Sequence, residues 1–179
     1  TNSVPNVDSV QQCMSYLHES GFERALTAAL RAPEADVFQH AGFTLNERLH
    51  ILKHDLRGDL TGTDHRLRRA RRNDRPTVLR LDHLAFDDFW HLGAEGLNEA
   101  LNATTTARFR VLDQDGILGY SVCGRAHEVG YLQRLAVHPD HVRRGLATAL
   151  VLDALRWLKR RRGTMMLVNT QESNTRALS

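Results

Sequence analysis

The sequence has few cysteines and no long apolar stretch, and both shortages restrict what the protein can be. Cys13 and Cys123 are its only cysteines, which are too few for a disulfide framework and form no Cys-x-x-Cys pair. Free thiols indicate a reducing compartment, so we expect a cytoplasmic protein. The longest apolar run, around Leu146 to Leu152, is far short of the roughly 20 residues that a membrane span needs. No membrane-spanning segment or membrane partner is predicted.

Metal-binding and targeting motifs are also missing. His50 and His54 lie four residues apart, but no His-Glu-x-x-His arrangement surrounds them, so surface histidines are a better interpretation than a zinc site. We predict no metal. The sequence opens Thr1-Asn2-Ser3 without a basic or apolar leader segment, and no signal peptide is expected.

The composition is that of an ordinary globular protein. Its 179 residues are 41% hydrophobic and 25% charged, which predicts one domain, with or without an appendage. The 24 Lys and Arg residues exceed the 21 Asp and Glu residues by three. This balance allows anionic ligands without requiring them.

The first 60 residues favour helices. Val10, Cys13, Met14 and Leu17 follow a helical spacing, and a second short helix is predicted to begin at Pro33 and to stop at Gly42. The run at 43–56 fits neither period cleanly and weakly favours a strand. The Gly- and Thr-containing residues 57–64 are typical of a linker, so a domain boundary is predicted near residue 60.

The residues after the linker predict alternating strands and helices. Asn73-Asp74 with Pro76 marks a helix start, and the Asp115-Gly116 pair predicts a hairpin turn. The predicted elements are, in order, a strand at 65–71, a helix through Leu84, strands at 107–112, 117–125 and 130–137, a helix at 144–162 and a strand at 165–169. This order is that of an α+β or mixed α/β fold.

The strongest chemical signal lies between a predicted strand and the long helix. The strand ends at Val137, and the helix begins beside Arg143, Arg144 and Gly145. A helix start combines free backbone N–H groups with the positive end of a dipole, and here two guanidinium groups join them. We interpret the turn as a pyrophosphate site. The alternative is a surface turn whose arginines are merely solvated.

This segment resembles motif A of the GNAT superfamily of acetyl-CoA-dependent N-acetyltransferases, whose usual form is Gln/Arg-x-x-Gly-x-Gly/Ala. The resemblance extends over 65–179. Arg66–Arg71 resembles the first strand of the family, Asn73–Phe89 its first helix, and 117–122 its third strand. Residues 165–177, with Asn174 and Ala177, resemble the following motif B. The resemblance implies a GNAT-like central mixed sheet flanked by helices, in an acetyl-CoA-binding domain at 65–179.

The resemblance also implies a reaction and a binding site. It implies transfer of acetyl from acetyl-CoA, as cosubstrate, to a primary amine of a small molecule or a protein. The acceptor pocket would involve 86–106 and the N-terminal piece. Backbone groups of the strand would pair with the pantetheine arm, N–H groups at the helix start would hold the pyrophosphate, and Asn174 would contact the cofactor. The implied cofactor-binding residues are Leu135, Ala136, Val137, Arg143, Arg144, Gly145, Leu146, Ala147, Thr148 and Asn174.

The sequence departs from the family pattern at three positions. Val142 replaces the usual Gln or Arg, which removes one side-chain contact to the pyrophosphate. Tyr131 stands where some members keep a Glu as general base, and no Tyr follows Asn174 to protonate the leaving thiolate. The catalytic candidates are therefore Tyr131 and Glu128, the latter with His127. The alternative for His127 and Glu128 is a solvated turn.

Residues 1–60 resemble the C-terminal half of a GNAT domain. Phe38 occupies the position of the family's Tyr, and Arg31 matches Asn174. The segment is then either the remnant of a preceding tandem copy or a piece that completes the sheet of 65–179. Such docking can occur within one chain or by exchange with a second copy, which would give a homodimer. A plain helical appendage, or a native chain that continues past Ser179, are the competing interpretations.

Arginine-rich runs suggest other functions. Six arginines lie between Arg66 and Arg75, and five basic residues lie between Arg156 and Arg162, which together could bind nucleic acid. No aromatic platform accompanies them, so nucleic acid is not expected as the main partner. A non-catalytic CoA-binding module is the other alternative. Trp90 and Trp157 are interpreted as packing residues, with an acceptor-site role left open for Trp90.

Overall fold

A computed structural model describes residues 5–62 and 65–175 of the chain. The chain divides into two compact units. One comprises the residues up to His50 together with those from Gln171 onward, and the other comprises Ile51–Thr170. The predicted motif-B residue Ala177 lies outside the described residues.

The first unit contains two helices, α1 (Val7–Glu19) and α2 (Ala32–His40). The Asn6 side chain caps α1 by accepting a hydrogen bond of 2.8 Å from the Ser9 N–H, as short polar side chains commonly do. Pro33 lies in the first turn of α2. Gly42 follows with φ of +100°, a left-handed conformation that ends a helix. The predicted helix over this segment is confirmed.

The strands form one six-stranded mixed sheet with the order β1-β6-β5-β4-β3-β2. Strands β2 to β5 pair antiparallel, whereas β5 and β6 run parallel and are joined through α5. The mixed α+β class with flanking helices is therefore confirmed. The elements are β1 (Leu49–His54), β2 (Leu67–Arg69), α3 (Arg75–Ala85), α4 (Ala94–Asn102), β3 (Thr106–Asp113), β4 (Ile117–Ala126), β5 (Val129–Val137), α5 (Leu146–Arg160) and β6 (Met165–Gln171).

Helices α3 and α4 cover one face of the sheet, and α5 covers the other. Side chains alternate along a strand, so Val111 packs with α3 and α4 while its neighbour Leu112 packs with α5. On the α5 face, Leu158 and Cys123 share a cluster with Met166 of β6. Within the described ranges, none of the helices has both the length and the apolar character that crossing a bilayer requires.

Some predicted elements end earlier than expected. The helix predicted through Leu84 is confirmed and ends at Ala85. It does not reach Phe89 as the family resemblance implies, because Phe86 is extended and the Asp82 carboxylate accepts a hydrogen bond of 2.7 Å from the Leu92 N–H. The strand predicted over 65–71 is limited to Leu67–Arg69. It ends there because the chain turns at Arg71, whose N–H is bound by the Asp74 carboxylate at 2.6 Å.

Two segments carry more structure than the sequence predicts. Helix α4 forms within a region that shows no clear period. The predicted linker is partly packed, because Leu60 packs against the Trp157 cluster. Leu56, the residue before the linker, is 5% exposed within the same cluster. Arg156 of α5 also donates a hydrogen bond to the Leu60 carbonyl. Leu56 and Leu60 therefore hold this part of the chain against α5.

Candidate functional site

Strands β5 and β6 diverge, and the gap between them is the main candidate site. Their parallel pairing covers only Val129–Tyr131 of β5 against Met165–Leu167 of β6. Beyond Tyr131, the β6 side of β5 has no paired strand among the described residues. A bulge accompanies the divergence, because Val122 pairs with Arg134 while the next residue, Cys123, pairs with Leu132. Bulges bend a strand and often adjoin functional sites.

The backbone of β5 presents alternate residues to this gap. The His138 N–H donates a hydrogen bond of 2.8 Å to the Leu118 carbonyl, so the backbone groups of His138 and of Ala136, two residues earlier, face β4. The intervening residues, Leu135 and Val137, then direct their N–H and C=O groups toward the gap. Ala136 is 3% exposed in the α3 face cluster, so the structure does not bring it to the opening.

At the end of β5, the loop before α5 forms a concave array of backbone donors. Arg143 and Gly145 both have left-handed backbones, with φ of +60° and +76°. Successive N–H groups around such residues converge on an anion. No side chain caps α5, and its first internal hydrogen bond is that of the Ala149 N–H with the Gly145 carbonyl, at 2.9 Å. The preceding N–H groups are therefore available to a ligand.

The side chains around this loop are accessible and ordered by local contacts. Arg143, Arg144, Gly145, Ala147 and Thr148 are all exposed. Arg144 is fixed at both ends: its Nη1 lies 2.8 Å from His141 Nδ1, and its carbonyl lies 3.0 Å from His65 Nε2. A Cβ added to Gly145 would meet only His65 Nε2, at 3.5 Å. Space for a phosphate therefore remains beside the glycine.

Two other predicted residues differ from these in their setting. Leu146, the first residue of α5, is 2% exposed, and its side chain packs against Leu112 of the sheet. Only its backbone N–H could therefore contact a ligand. Asn174 belongs to the other compact unit, and its N–H is bonded to the Gln171 carbonyl at 3.0 Å.

The catalytic candidates lie at the other end of β5. Glu128 is exposed in the β4–β5 turn, and its carbonyl accepts a hydrogen bond of 2.8 Å from the Thr164 N–H. It precedes Val137 by nine residues, a distance of about 30 Å along an extended strand. Tyr131 is 37% exposed and pairs with Gly124, on the sheet face covered by α3 and α4. It lies where the gap begins.

A buried ionic network on this same face was not predicted from the sequence. Asp82 of α3 is fully buried, and its carboxylate accepts hydrogen bonds from Arg134 Nε and Nη2, at 2.7 and 2.8 Å. It also accepts hydrogen bonds from the Tyr120 hydroxyl and the Leu92 N–H. Burial alone would raise the pKa of Asp82, but these donors outweigh it and hold the pKa below its ordinary value. Burial also raises the pKa of Tyr120.

The network fixes the segment between α3 and α4. Arg134 Nη2 donates a hydrogen bond of 2.6 Å to the Trp90 carbonyl, and the guanidinium carbon lies 3.5 Å from the Phe86 ring centroid. His91 Nε2 lies 3.0 Å from the Phe86 carbonyl. This segment therefore lies over β5, on the face that carries Tyr131. A charged residue in the apolar stripe of α3, and another in the apolar β5, were the signals that could have identified the pair.

Metal-ligating side chains do not cluster in the described part of the chain. Across residues 5–62 and 65–175, the His, Cys, Asp and Glu side chains form no group of three or more that could hold a metal ion.

Comparison with known families decides the classification. The model of the acetyltransferase (GNAT) family matches residues 70–179. The chain belongs to this family. The GNAT resemblance drawn from motif A is thereby confirmed. No curated protein matches the chain.

Solved GNAT structures share its fold at low sequence identity. The ribosomal-protein-S18-alanine N-acetyltransferase from Escherichia coli is 18% identical, with a TM-score of 0.58 over 64% of this chain and 72% of the other. The protein yncA from Salmonella typhimurium, solved with acetyl-CoA, is 17% identical, with a TM-score of 0.52 over 65% of this chain and 75% of its own. A tandem GNAT protein from the clavulanic acid biosynthesis pathway is 16% identical, with a TM-score of 0.61 over 87% of this chain and 55% of its own.

Proposed function

We propose that this GNAT protein is an N-acetyltransferase that moves the acetyl group of acetyl-CoA to a primary amine. The observation that carries the proposal is the gap between β5 and β6, which leads to the donor-rich loop at the start of α5. A thioester with a long amide-containing arm and a pyrophosphate matches both parts. The arm needs backbone partners along a strand edge, and the pyrophosphate needs converging N–H donors.

The residues divide the binding task between backbone and side chains. Leu135 and Val137 supply backbone groups that can pair with the amides of the pantetheine arm. The N–H groups from Arg143 to Thr148 face the pyrophosphate, and the two guanidinium groups add charge-assisted contacts. Val142 offers no polar contact, so most of the recognition rests on the main chain. Asn174 remains a proposed contact to the cofactor.

The reaction requires a neutral amine. The ordinary pKa of an alkylammonium is near 10.4, so the acceptor must lose a proton before its nitrogen attacks the thioester carbon. Transfer then forms a C–N bond and breaks a C–S bond, and the leaving sulfur takes up a proton. Glu128, exposed in the turn before β5, remains a proposed base. Tyr131 lies at the start of the gap, and we propose that its hydroxyl orients the water chain that accepts the proton.

The acceptor site is proposed on the α3 and α4 face of the sheet. The segment held by Asp82 and Arg134 lies over β5 there, and Trp90 is half-buried within it. A primary amine of a small molecule or of a protein can approach this side. Most of the rate gain would come from holding the amine beside the thioester.

Thiol release across a panel of amines tests the proposal. Polyamines, aminoglycosides, lysine-containing peptides and peptides with free N-termini would be compared with an acetyl-CoA blank. We expect amine-dependent CoA release with at least one class, and its loss in Gly145→Asp but not in Gly145→Asn. Asn and Asp both tolerate a left-handed backbone, so this pair isolates the added negative charge. Acetyl-CoA binding without release for any amine would instead support a non-catalytic CoA-binding module.

We further propose that residues 1–60 derive from a preceding GNAT domain. The likeness to the tandem GNAT protein covers 87% of this chain, which is more than residues 65–179 alone can supply. Strand β1 lies beside β6 in the sheet, and Leu56 belongs to the α5 face core. We therefore expect deletion of residues 1–56 to lower the thermal midpoint of the remaining domain. A truncated protein as stable as the full chain would contradict a role of this segment in completing the sheet and would leave it as the remnant of a tandem copy.

A further inference from the structure

The arginines that begin the GNAT domain are not used by the function proposed above. Six of them lie between Arg66 and Arg75. Arg68 has carboxylate partners: its guanidinium binds Asp74 at 2.7 and 2.9 Å and Asp113 at 2.7 Å. Four of the others line one open groove of about 440 Å³ at the β2 edge of the sheet, and its floor includes Ala107 and Phe109. These four are Arg69, Arg71, Arg72 and Arg75.

Among the described residues, the four groove arginines form no direct ion pair, and Arg71 has only a longer-range interaction with the Asp74 carboxylate. In the part of the chain that the structure describes, none of their guanidinium groups has a carboxylate within 4.0 Å. Arg75 binds only a neutral partner, Asn98 Oδ1, at 2.9 Å. Arg69, Arg71 and Arg72 are exposed. Like charges gathered around one groove repel each other and do not stabilise the fold, so their arrangement fits an anionic ligand.

The groove also contains an open strand edge. Strand β2 pairs with residues 110–112 of β3. The last hydrogen bond between the two segments is the one that the Ala70 N–H donates to the Phe109 carbonyl, at 3.1 Å. The backbone groups of Ala107, two residues earlier, point to the same side. No strand of the described chain pairs with them there, and Ala107 is exposed. An extended peptide can add to such an edge through main-chain hydrogen bonds.

We propose that this groove binds an extended acidic segment of a partner protein, which pairs with β3 at Ala107 and places alternate carboxylates against the groove arginines. Side chains of an added strand alternate with a spacing of about 7 Å on each face. The set on the α3 and α4 face therefore meets the guanidinium groups beside Phe109, while the other set points to the opposite face. A nucleic acid fits less well, because the Phe109 ring is half-buried and packs edge-on against Tyr120, with 6.2 Å between centroids. A half-buried ring offers a base little area to stack on.

Fluorescence anisotropy with the full chain tests the proposal. The probe is a fluorescein-labelled, end-capped peptide of three Glu-Val repeats, compared with its Gln-Val counterpart and with labelled hexathymidylate. We expect saturable binding of the Glu-Val peptide alone, weakened about tenfold or more in Arg71→Gln/Arg72→Gln, since each lost charge-assisted contact carries about this penalty. The control Arg160→Gln/Arg162→Gln removes the same charge from exposed residues beyond the groove and should bind as wild type.

A backbone variant tests the strand pairing separately. Ala107→Pro removes one N–H from the open edge, where proline is tolerated. It should weaken binding of the Glu-Val peptide without lowering the thermal midpoint of the protein. Equal binding of the Gln-Val peptide, or tighter binding of hexathymidylate than of the Glu-Val peptide, would overturn the proposal. So would unchanged affinity in Arg71→Gln/Arg72→Gln or in Ala107→Pro. Because the assay contains no acetyl-CoA, its outcome is independent of acetyl transfer.

Discussion

The Asp82 network predicts a large and specific loss of stability in Asp82→Ala. The substitution leaves the Arg134 guanidinium, which is 14% exposed, without a counter-charge. It also removes the acceptor for the Tyr120 hydroxyl and the Leu92 N–H. Breaking a buried ion pair by removing one partner costs about 3–5 kcal/mol. Since a domain is stable by only about 5–15 kcal/mol, we expect a loss of about 4 kcal/mol in the free energy of unfolding.

Urea denaturation measures this loss, and a double variant identifies its cause. Replacing both charges, as in Asp82→Leu/Arg134→Met, removes the unpaired guanidinium and should be less destabilising than the sum of the single changes by about 2 kcal/mol. Asp88→Ala is the matched control, because the Asp88 side chain is fully exposed. A loss below about 1 kcal/mol in Asp82→Ala, or an additive double variant, would contradict a stabilising role of the buried ion pair.

The same network predicts a pH dependence. The folded-state pKa of Asp82 lies below the ordinary value of 3.8. A carboxyl with a lowered pKa contributes stability above its unfolded-state pKa, and this contribution disappears as the pH falls through the folded-state value. The difference in the free energy of unfolding between wild type and Asp82→Asn should therefore be largest near pH 6 and decrease below about pH 4. A difference that stays constant down to pH 2 would contradict the assignment.

Three further predictions concern the core. Leu56→Ala should lower the free energy of unfolding by about 2–4 kcal/mol in a urea titration, because removing a buried leucine side chain leaves a cavity; no loss would mean that Leu56 does not pack against α5. Gly130→Ala should also destabilise, since its Cβ would meet the Leu158 side chain, and a neutral result would contradict that packing. Thiol titration should label exposed Cys13 at once and Cys123 only after unfolding, because burial raises the pKa of Cys123 to about 12; equal rates would refute this.

The sequence predicts the strands and the donor loop because their signals are local. The Asp115-Gly116 turn specifies the β3–β4 hairpin, and Gly145 between a strand and a helix specifies the left-handed loop. Local patterns cannot show where strands separate. The gap beside Leu135 depends on how far β6 follows β5, which is decided by packing between distant segments.

The buried network escapes sequence reasoning for a related reason. Asp82 and Arg134 are 52 residues apart in the sequence. Aspartate and arginine side chains are ordinarily expected on the protein surface. Only the fold shows that α3 and β5 bring them together. The arginine run illustrates the converse, since the sequence reveals the charge while the structure separates the paired Arg68 from the groove arginines.

Calorimetric titration with acetyl-CoA measures binding at the loop before α5. We expect one binding site in the wild-type chain, retained in Gly145→Asn and lost in Gly145→Asp, with an unchanged thermal midpoint between the two variants. Thr105→Asp, which adds the same charge at an exposed residue before β3, should bind as wild type. No binding by the wild-type chain, or equal affinity in Gly145→Asn and Gly145→Asp, would contradict the assignment of the loop at the start of α5.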